Sequence, residues 1–252
     1  MKLFLKISYL GTAYSGYQTQ KNGVSIQQML NQAALRLFGH DCDICGCSRT
    51  DRGVHANEFC LTVCERGKNY LETSISTDSI VRALNVYLPE DIAVLSAEWK
   101  DEDFHARYSV SKKEYVYRIY NSGTRSPFEV NRSLQYVKPI DENKLQNMIK
   151  AAKLLEGKHD FAAFMTSGSN VTNTERTVFN TSIVRNGDSV CFYICADGFL
   201  YNMVRIIVGT LLEIAEDKKS PEDILNILES RDRKLAGRTA PAEGLYLNRV
   251  FY

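Results

Sequence analysis

Between Gly46 and Cys60 the chain reads GCSRTDRGVHANEFC, so that Arg49, Asp51, Arg52, Gly53 and His55 fall within seven positions. Such charge density directly before an alternating apolar run marks either a solvated turn or the working edge of a site. Gly53 permits a tight turn or the close approach of a ligand. Arg49 lies two residues before Asp51 and shares its side of the chain if this stretch is extended. Taken alone, the same residues also describe a solvated Arg–Asp pair beside a turn, which is worth little. Two other chemistries overlap the segment. Cys42, Cys45, Cys60 and Cys64 are spaced C-x2-C-x14-C-x3-C, close to a zinc ribbon. A zinc knuckle calls for a turn at each pair, however, and Glu58–Cys64 alternates like a strand, so the thiols read better as small buried hydrophobes. Cys191 and Cys195, at even spacing in an apolar run, read the same way. A Cys–His hydrolase built on His55 and Cys60 is disfavoured because odd spacing along a strand sends the two side chains to opposite faces.

The elements that would carry these residues follow from periodicity and punctuation. Residues 2–9, dense in β-formers, predict a strand, and 9–20 a loop hinged at Gly11 and Gly16. Residues 25–38 predict a helix, with Ser25 and Gln28 placed as a capping box and Ile26, Met29, Leu30, Ala33 and Leu37 as its apolar stripe. Strands are expected at 58–64, 92–99, 113–120 and 245–252. Helices are expected at 78–88, ended by Pro89; at 141–156, stopped by Gly157; at 199–215; and after Ser220-Pro221. Asn186-Gly187 between two β-rich runs predicts a hairpin over 181–195. These elements divide into two α+β stretches of similar make-up, 1–104 and 105–252, with the Asp51 loop in the first.

At 252 residues the chain can bury a sizeable core. Lys and Arg total 31 against 30 Asp and Glu, so any nucleic-acid surface has to come from local clustering rather than net charge. The first residues are too interrupted for a signal peptide, and no run approaches the roughly 20 apolar residues that span a bilayer. A cytoplasmic protein is the expectation, and seven cysteines, an odd number, fit a reducing compartment rather than a disulfide framework.

Five blocks in order, GTAYSGYQTQ, SRTDRGVHA, DFHARYSVSKKEYVYRI, FLYNMVRIIVG and APAEGLYL, resemble the tRNA pseudouridine synthase A family from residue 3 to residue 252. The resemblance implies two α+β halves with antiparallel sheets, joined into one pseudouridine-synthase-type fold around a central cleft. It implies isomerisation of uridine to pseudouridine in the 3′ arm of a tRNA anticodon stem-loop, with no cofactor and no metal, by a homodimer. On this resemblance Asp51 is the catalytic carboxylate. Tyr115 stacks against the target base, Leu245 packs on the uracil, and Arg49 occupies the space left by the flipped nucleotide. Arg205, a charge on an otherwise apolar helix, needs a partner, and the resemblance makes that partner Asp51. Arg107, Lys112 and Lys113, with Arg231, Arg233, Lys234 and Arg238, supply local charge for phosphates. His55 and His105 read as structural hydrogen-bonding residues. Arg52 and Tyr17 depart from the common bacterial pattern, and both are expected near the RNA-facing loops, leaving room for a paralogue with a shifted target.

Overall fold

The computed structural model describes residues 1–166, 168 and 171–252. In chain order the main elements are β1 (Lys2–Tyr9), α1 (Ile26–Phe38), β2 (Cys42–Gly46), β3 (His55–Glu65), α2 (Thr77–Tyr87), β4 (Ile92–Lys100), β5 (Lys112–Asn121) and β6 (Leu134–Tyr136). They continue with α3 (Glu142–Lys153), β7 (Gly157–Asp160), β8 (Glu175–Asn186), β9 (Ser189–Ala196), α4 (Met203–Ala215), α5 (Asp223–Ser230) and β10 (Leu245–Phe251). The chain forms two compact units, one of Met1–Ser111 with Tyr246–Tyr252 and one of Lys112–Leu245. The change of unit thus falls at Ser111–Lys112, and the last strand joins the first unit.

In the first unit β1 lies between β4 and β3, antiparallel to both. The other edge of β3 takes β2, antiparallel along Leu61–Glu65, and β10, parallel at His55 and Ala56. Leu3, Leu5 and Ile7 alternate along β1 and are fully buried with Phe59 and Leu61 of β3. Against this sheet α1 buries Ile26, Leu30, Ala33 and Ala34, and α2 buries Ile80 and Leu84. The start of α1 follows the sequence: the Ser25 side chain accepts a hydrogen bond from the Gln28 N–H at 3.2 Å, satisfying one otherwise orphaned donor.

In the second unit the antiparallel order is β5-β9-β8-β7, with β6 parallel to β5. The β8–β9 hairpin pairs Asn186 with Ser189, so its two-residue loop is Gly187-Asp188 rather than Asn186-Gly187. Gly187 adopts φ +58, the left-handed conformation such loops require. The apolar helix α4 is buried along almost its whole length, as a helix apolar on all sides must be. It begins at Met203 rather than near residue 199, because Asn202 sits at φ +61 and interrupts the helical turn there.

Candidate active site

Asp51 rides on the turn between β2 and β3. The Val54 N–H donates to the Asp51 carbonyl at 3.1 Å, and Gly53 closes the turn at φ +78. Beneath it Thr50 is buried, its hydroxyl 2.8 Å from the Tyr9 hydroxyl at the end of β1. The Thr50 carbonyl accepts from the Tyr17 N–H at 3.1 Å, which ties the turn to the loop after β1. Gly16 in that loop has φ +94, and a Cβ there would stand 2.6 Å from the Thr50 carbonyl oxygen. Gly11 is closer still: a Cβ would meet the Val54 carbonyl at 2.0 Å. Two glycines therefore let one loop lie directly on another, backbone to backbone. The result is a turn fixed from below, with Thr50 buried, Asp51 half-buried, and Arg49 and Arg52 exposed.

His55 holds the same turn. It is fully buried, its Nδ1 accepts from the Gly11 N–H at 2.8 Å, and its ring packs on Tyr246 at 4.6 Å between centroids. With Nδ1 accepting, the neutral ring carries its proton on Nε2. His105 is likewise engaged: its Nδ1 lies 3.1 Å from the Arg107 N–H and 3.2 Å from that of Tyr108, and its Nε2 lies 3.8 Å from the Cys45 thiol.

Two corrections to the sequence reading belong to this unit. Tyr17 is not on a loop surface. It is 3% exposed, stacked on Phe59 at 4.3 Å, and it lies where a Cβ on Gly46 would touch its ring at 2.6 Å. The strand β2 was not anticipated, because Cys42–Gly46 carries a single β-branched residue and owes its conformation to pairing with β3. Among the described residues no group of three or more His, Cys, Asp or Glu is placed to hold a metal ion. Burial pushes the Cys60 thiol far above its ordinary range and that of Cys42 up to about 11, so both thiols stay protonated.

The second unit carries Tyr115, Arg205 and Leu245. Tyr115 lies on β5 opposite Ile194, 8% exposed, with its ring edge-on to Phe199 at 4.8 Å. Arg205, on the first turn of α4, is half-buried. Its Nε donates to the Ala240 carbonyl at 2.7 Å and its Nη1 to Asn202 Oδ1 at 2.8 Å, while the Ala240 N–H donates back to the Arg205 carbonyl at 3.0 Å. The segment of residues 236–240 approaches α4 at two glycines. A Cβ on Gly209 would lie 1.7 Å from the Arg238 carbonyl oxygen, and one on Gly237 2.5 Å from the Thr210 nitrogen. The Thr210 hydroxyl locks the approach, donating to the Ile206 carbonyl and accepting from the Gly237 N–H at 2.8 Å. Further on, Tyr117 donates to the Pro241 carbonyl at 2.8 Å, and its ring fills the space a Gly244 side chain would need. Leu245, 7% exposed, follows directly.

Two members of the basic run have other work. Arg231 pairs with Asp160 at 3.0 Å, and Arg233 donates to the Ala236 carbonyl and the Thr239 hydroxyl. Lys234 and Arg238 are exposed. The sequence reading missed Asn202 altogether; its signal was an asparagine just before a helix, three residues ahead of a lone arginine.

A family model described as tRNA pseudouridine synthase matches residues 6–109 and 151–252. The chain is 44% identical over 249 residues to tRNA pseudouridine synthase A of Acetivibrio thermocellus, covering 98% of each chain. It is 43% identical over 251 residues to tRNA pseudouridine synthase A 2 of Clostridium tetani, covering 98% of this chain and 97% of that one. A solved Cbf5-Nop10-Gar1 complex aligns with 96% of this chain and 57% of its own at 13% identity and TM-score 0.38, too low a score to carry an inference. With a family model spanning both units and relatives alike from end to end, the chain belongs to the tRNA pseudouridine synthase family, a family of isomerases.

Proposed function

We propose that this protein converts uridine to pseudouridine in the 3′ arm of the tRNA anticodon stem-loop, with Asp51 as the catalytic carboxylate. The observation that carries the reading is the Asp51 turn itself. A half-buried carboxylate is mounted on a turn clamped by Thr50, Gly16 and His55, flanked by exposed Arg49 and Arg52, inside a segment the family model matches. In the reaction the N1–C1′ bond of the uridine breaks and a C5–C1′ bond forms; C5 gives up a proton and N1 gains one. No cofactor is needed for this balance. Asp51 acts at the sugar, while Tyr115 and Leu245 bind the base, Arg49 fills the vacated stack, and Arg205 supplies the charge that keeps the carboxylate ionised. Phosphate contacts fall to exposed Arg52, Arg107, Lys234 and Arg238. Recognition is by the shape of the stem-loop, and a target near the end of a stem lowers the cost of extruding the base.

The functional protein is a cytoplasmic homodimer in this reading. Among the described residues no helix is long and apolar enough to cross a membrane. Release of tritium from C5-labelled uridine in tRNA tests the reaction, and mapping pseudouridine in tRNA from a deletion strain tests the target. Tritium release with loss of the modification from the anticodon arm is expected. Loss at another site alone would assign the chain a shifted target, with exposed Arg52 the first residue to examine; no tritium release would reject the activity.

A further inference from the structure

At the start of α4, Asn202 does not do what an asparagine in its position ordinarily does. It is the N-cap residue, yet its side chain makes no capping hydrogen bond. A capping side chain stabilises the helix it begins, so one turned away forgoes that stabilisation. The amide is engaged elsewhere at both ends. Its Oδ1 accepts from Arg205 Nη1 at 2.8 Å, and its Nδ2 donates to the Thr166 hydroxyl at 3.0 Å. The backbone is held in place too, since Asn202 adopts φ +61, which asparagine tolerates better than most residues. The neighbouring Tyr201 carbonyl accepts from the Thr166 N–H at 3.2 Å, so Thr166 grips this corner through both backbone and side chain.

We infer that Asn202 is a positioning residue for Arg205, fixing the guanidinium plane together with the Ala240 carbonyl, and that Thr166 in turn fixes the Asn202 amide. The geometry carries this. A guanidinium is planar and has five N–H donors. One bond at Nε leaves it free to rock about its stem; a second at Nη1 sets the plane and determines where the remaining donors point. An asparagine is the right residue here, because it offers an acceptor to the arginine and a donor to Thr166. An aspartate would offer acceptors only, so the Thr166 hydroxyl would have to turn and donate, and its charge would also compete for the arginine. The inference rests on the role given to Arg205 under Proposed function, since positioning Arg205 matters only if Arg205 serves the reaction.

The test separates the two. Asn202→Gly accepts the φ of +61 without strain and removes only the amide. It is expected to lower kcat at least tenfold in the tritium-release assay, with the KM for tRNA within about twofold and the melting temperature little changed. Thr166→Val should give a smaller fall in kcat. Asn202→Gly should add little in an Arg205→Lys background, because residues acting through one another are not additive. A kcat within twofold of the parent for Asn202→Gly, with Arg205→Lys strongly impaired, would reduce Asn202 to an ordinary corner residue. Additive losses would likewise overturn action through Arg205. Full activity of Arg205→Lys and Arg205→Met would instead remove the role of Arg205 itself, and the inference with it.

Discussion

The Asp51 turn and the Arg205 corner are held by opposite means. At Asp51 the clamp is backbone. Gly11 and Gly16 let one loop lie on the next, and Thr50, Val54 and His55 secure the turn, with Asp51 itself left half-buried beside exposed Arg49 and Arg52. At Arg205 the side chain itself is clamped, by the Ala240 carbonyl and the Asn202 amide. The difference follows from the side chains. A short carboxylate with two χ angles is placed once its backbone is placed. A long arginine is not, because its rotamer freedom must be removed bond by bond. A glycine-supported close approach underlies both, at Gly16 in one and at Gly209 and Gly237 in the other.

The sharpest way to break the comparison is at the carboxylate. Asp51→Asn keeps the turn and removes the charge, so it should abolish tritium release while tRNA affinity, spread over many phosphate contacts, stays within about tenfold, or ~1.4 kcal/mol. Filter binding beside the activity assay checks both; substantial turnover by the variant would exclude Asp51 as the reacting group.

Arg205→Met comes next. It should reduce kcat severely and leave the Ala240 carbonyl without its side-chain donor, at a cost of ~1–3 kcal/mol in a stability measurement. If the arginine faces Asp51, loss of the cation disfavours the ionised carboxylate, and the acid limb of the residual pH–rate profile should move to higher pH. An unmoved limb would leave Arg205 with a structural role only.

The two glycine approaches should then part company. Gly209→Ala drives a methyl to 1.7 Å from a backbone carbonyl inside a buried helix contact, so thermal unfolding should show a loss of ~3 kcal/mol or more. Gly16→Ala is strained by its φ of +94 and by the 2.6 Å approach to Thr50, and should cost about 1–3 kcal/mol. Its larger effect should be on kcat, because the displaced atoms carry Asp51. Equal ratios of activity loss to stability loss in the two variants would erase the distinction drawn here.

The smallest effect is expected at Tyr17. Its hydroxyl is buried without a hydrogen-bond partner among the described residues, and burial beside Cys45 and Cys47 holds its proton firmly. Tyr17→Phe should therefore be neutral or stabilising by up to ~1 kcal/mol, with unchanged activity. A destabilisation above that, measured by denaturant unfolding, would show that the hydroxyl is satisfied.

How much of this was legible in the chain depends on how local its cause is. The helix at Ile26–Phe38 is written in its cap and stripe, and the β8–β9 hairpin in its turn residues, because both are decided by neighbours a few positions away. The segment around Asp51 was conspicuous by residue type, and the resemblance of five ordered blocks gave the family that the comparisons then showed. The strand at Cys42–Gly46 was not legible, since only β3 makes it a strand, and Tyr17 was misplaced because nothing in GYQTQ announces Phe59 and Gly46 as its neighbours. The sequence by itself determined which residue types are available for the chemistry and on which elements they ride. Tertiary structure alone decided which glycines are obligatory, which arginines are engaged within their own unit, and that the amide of Asn202 turns from its helix toward Arg205. Those outcomes depend on atoms brought within hydrogen-bonding or van der Waals distance from far along the chain, and no local period or spacing encodes such an approach.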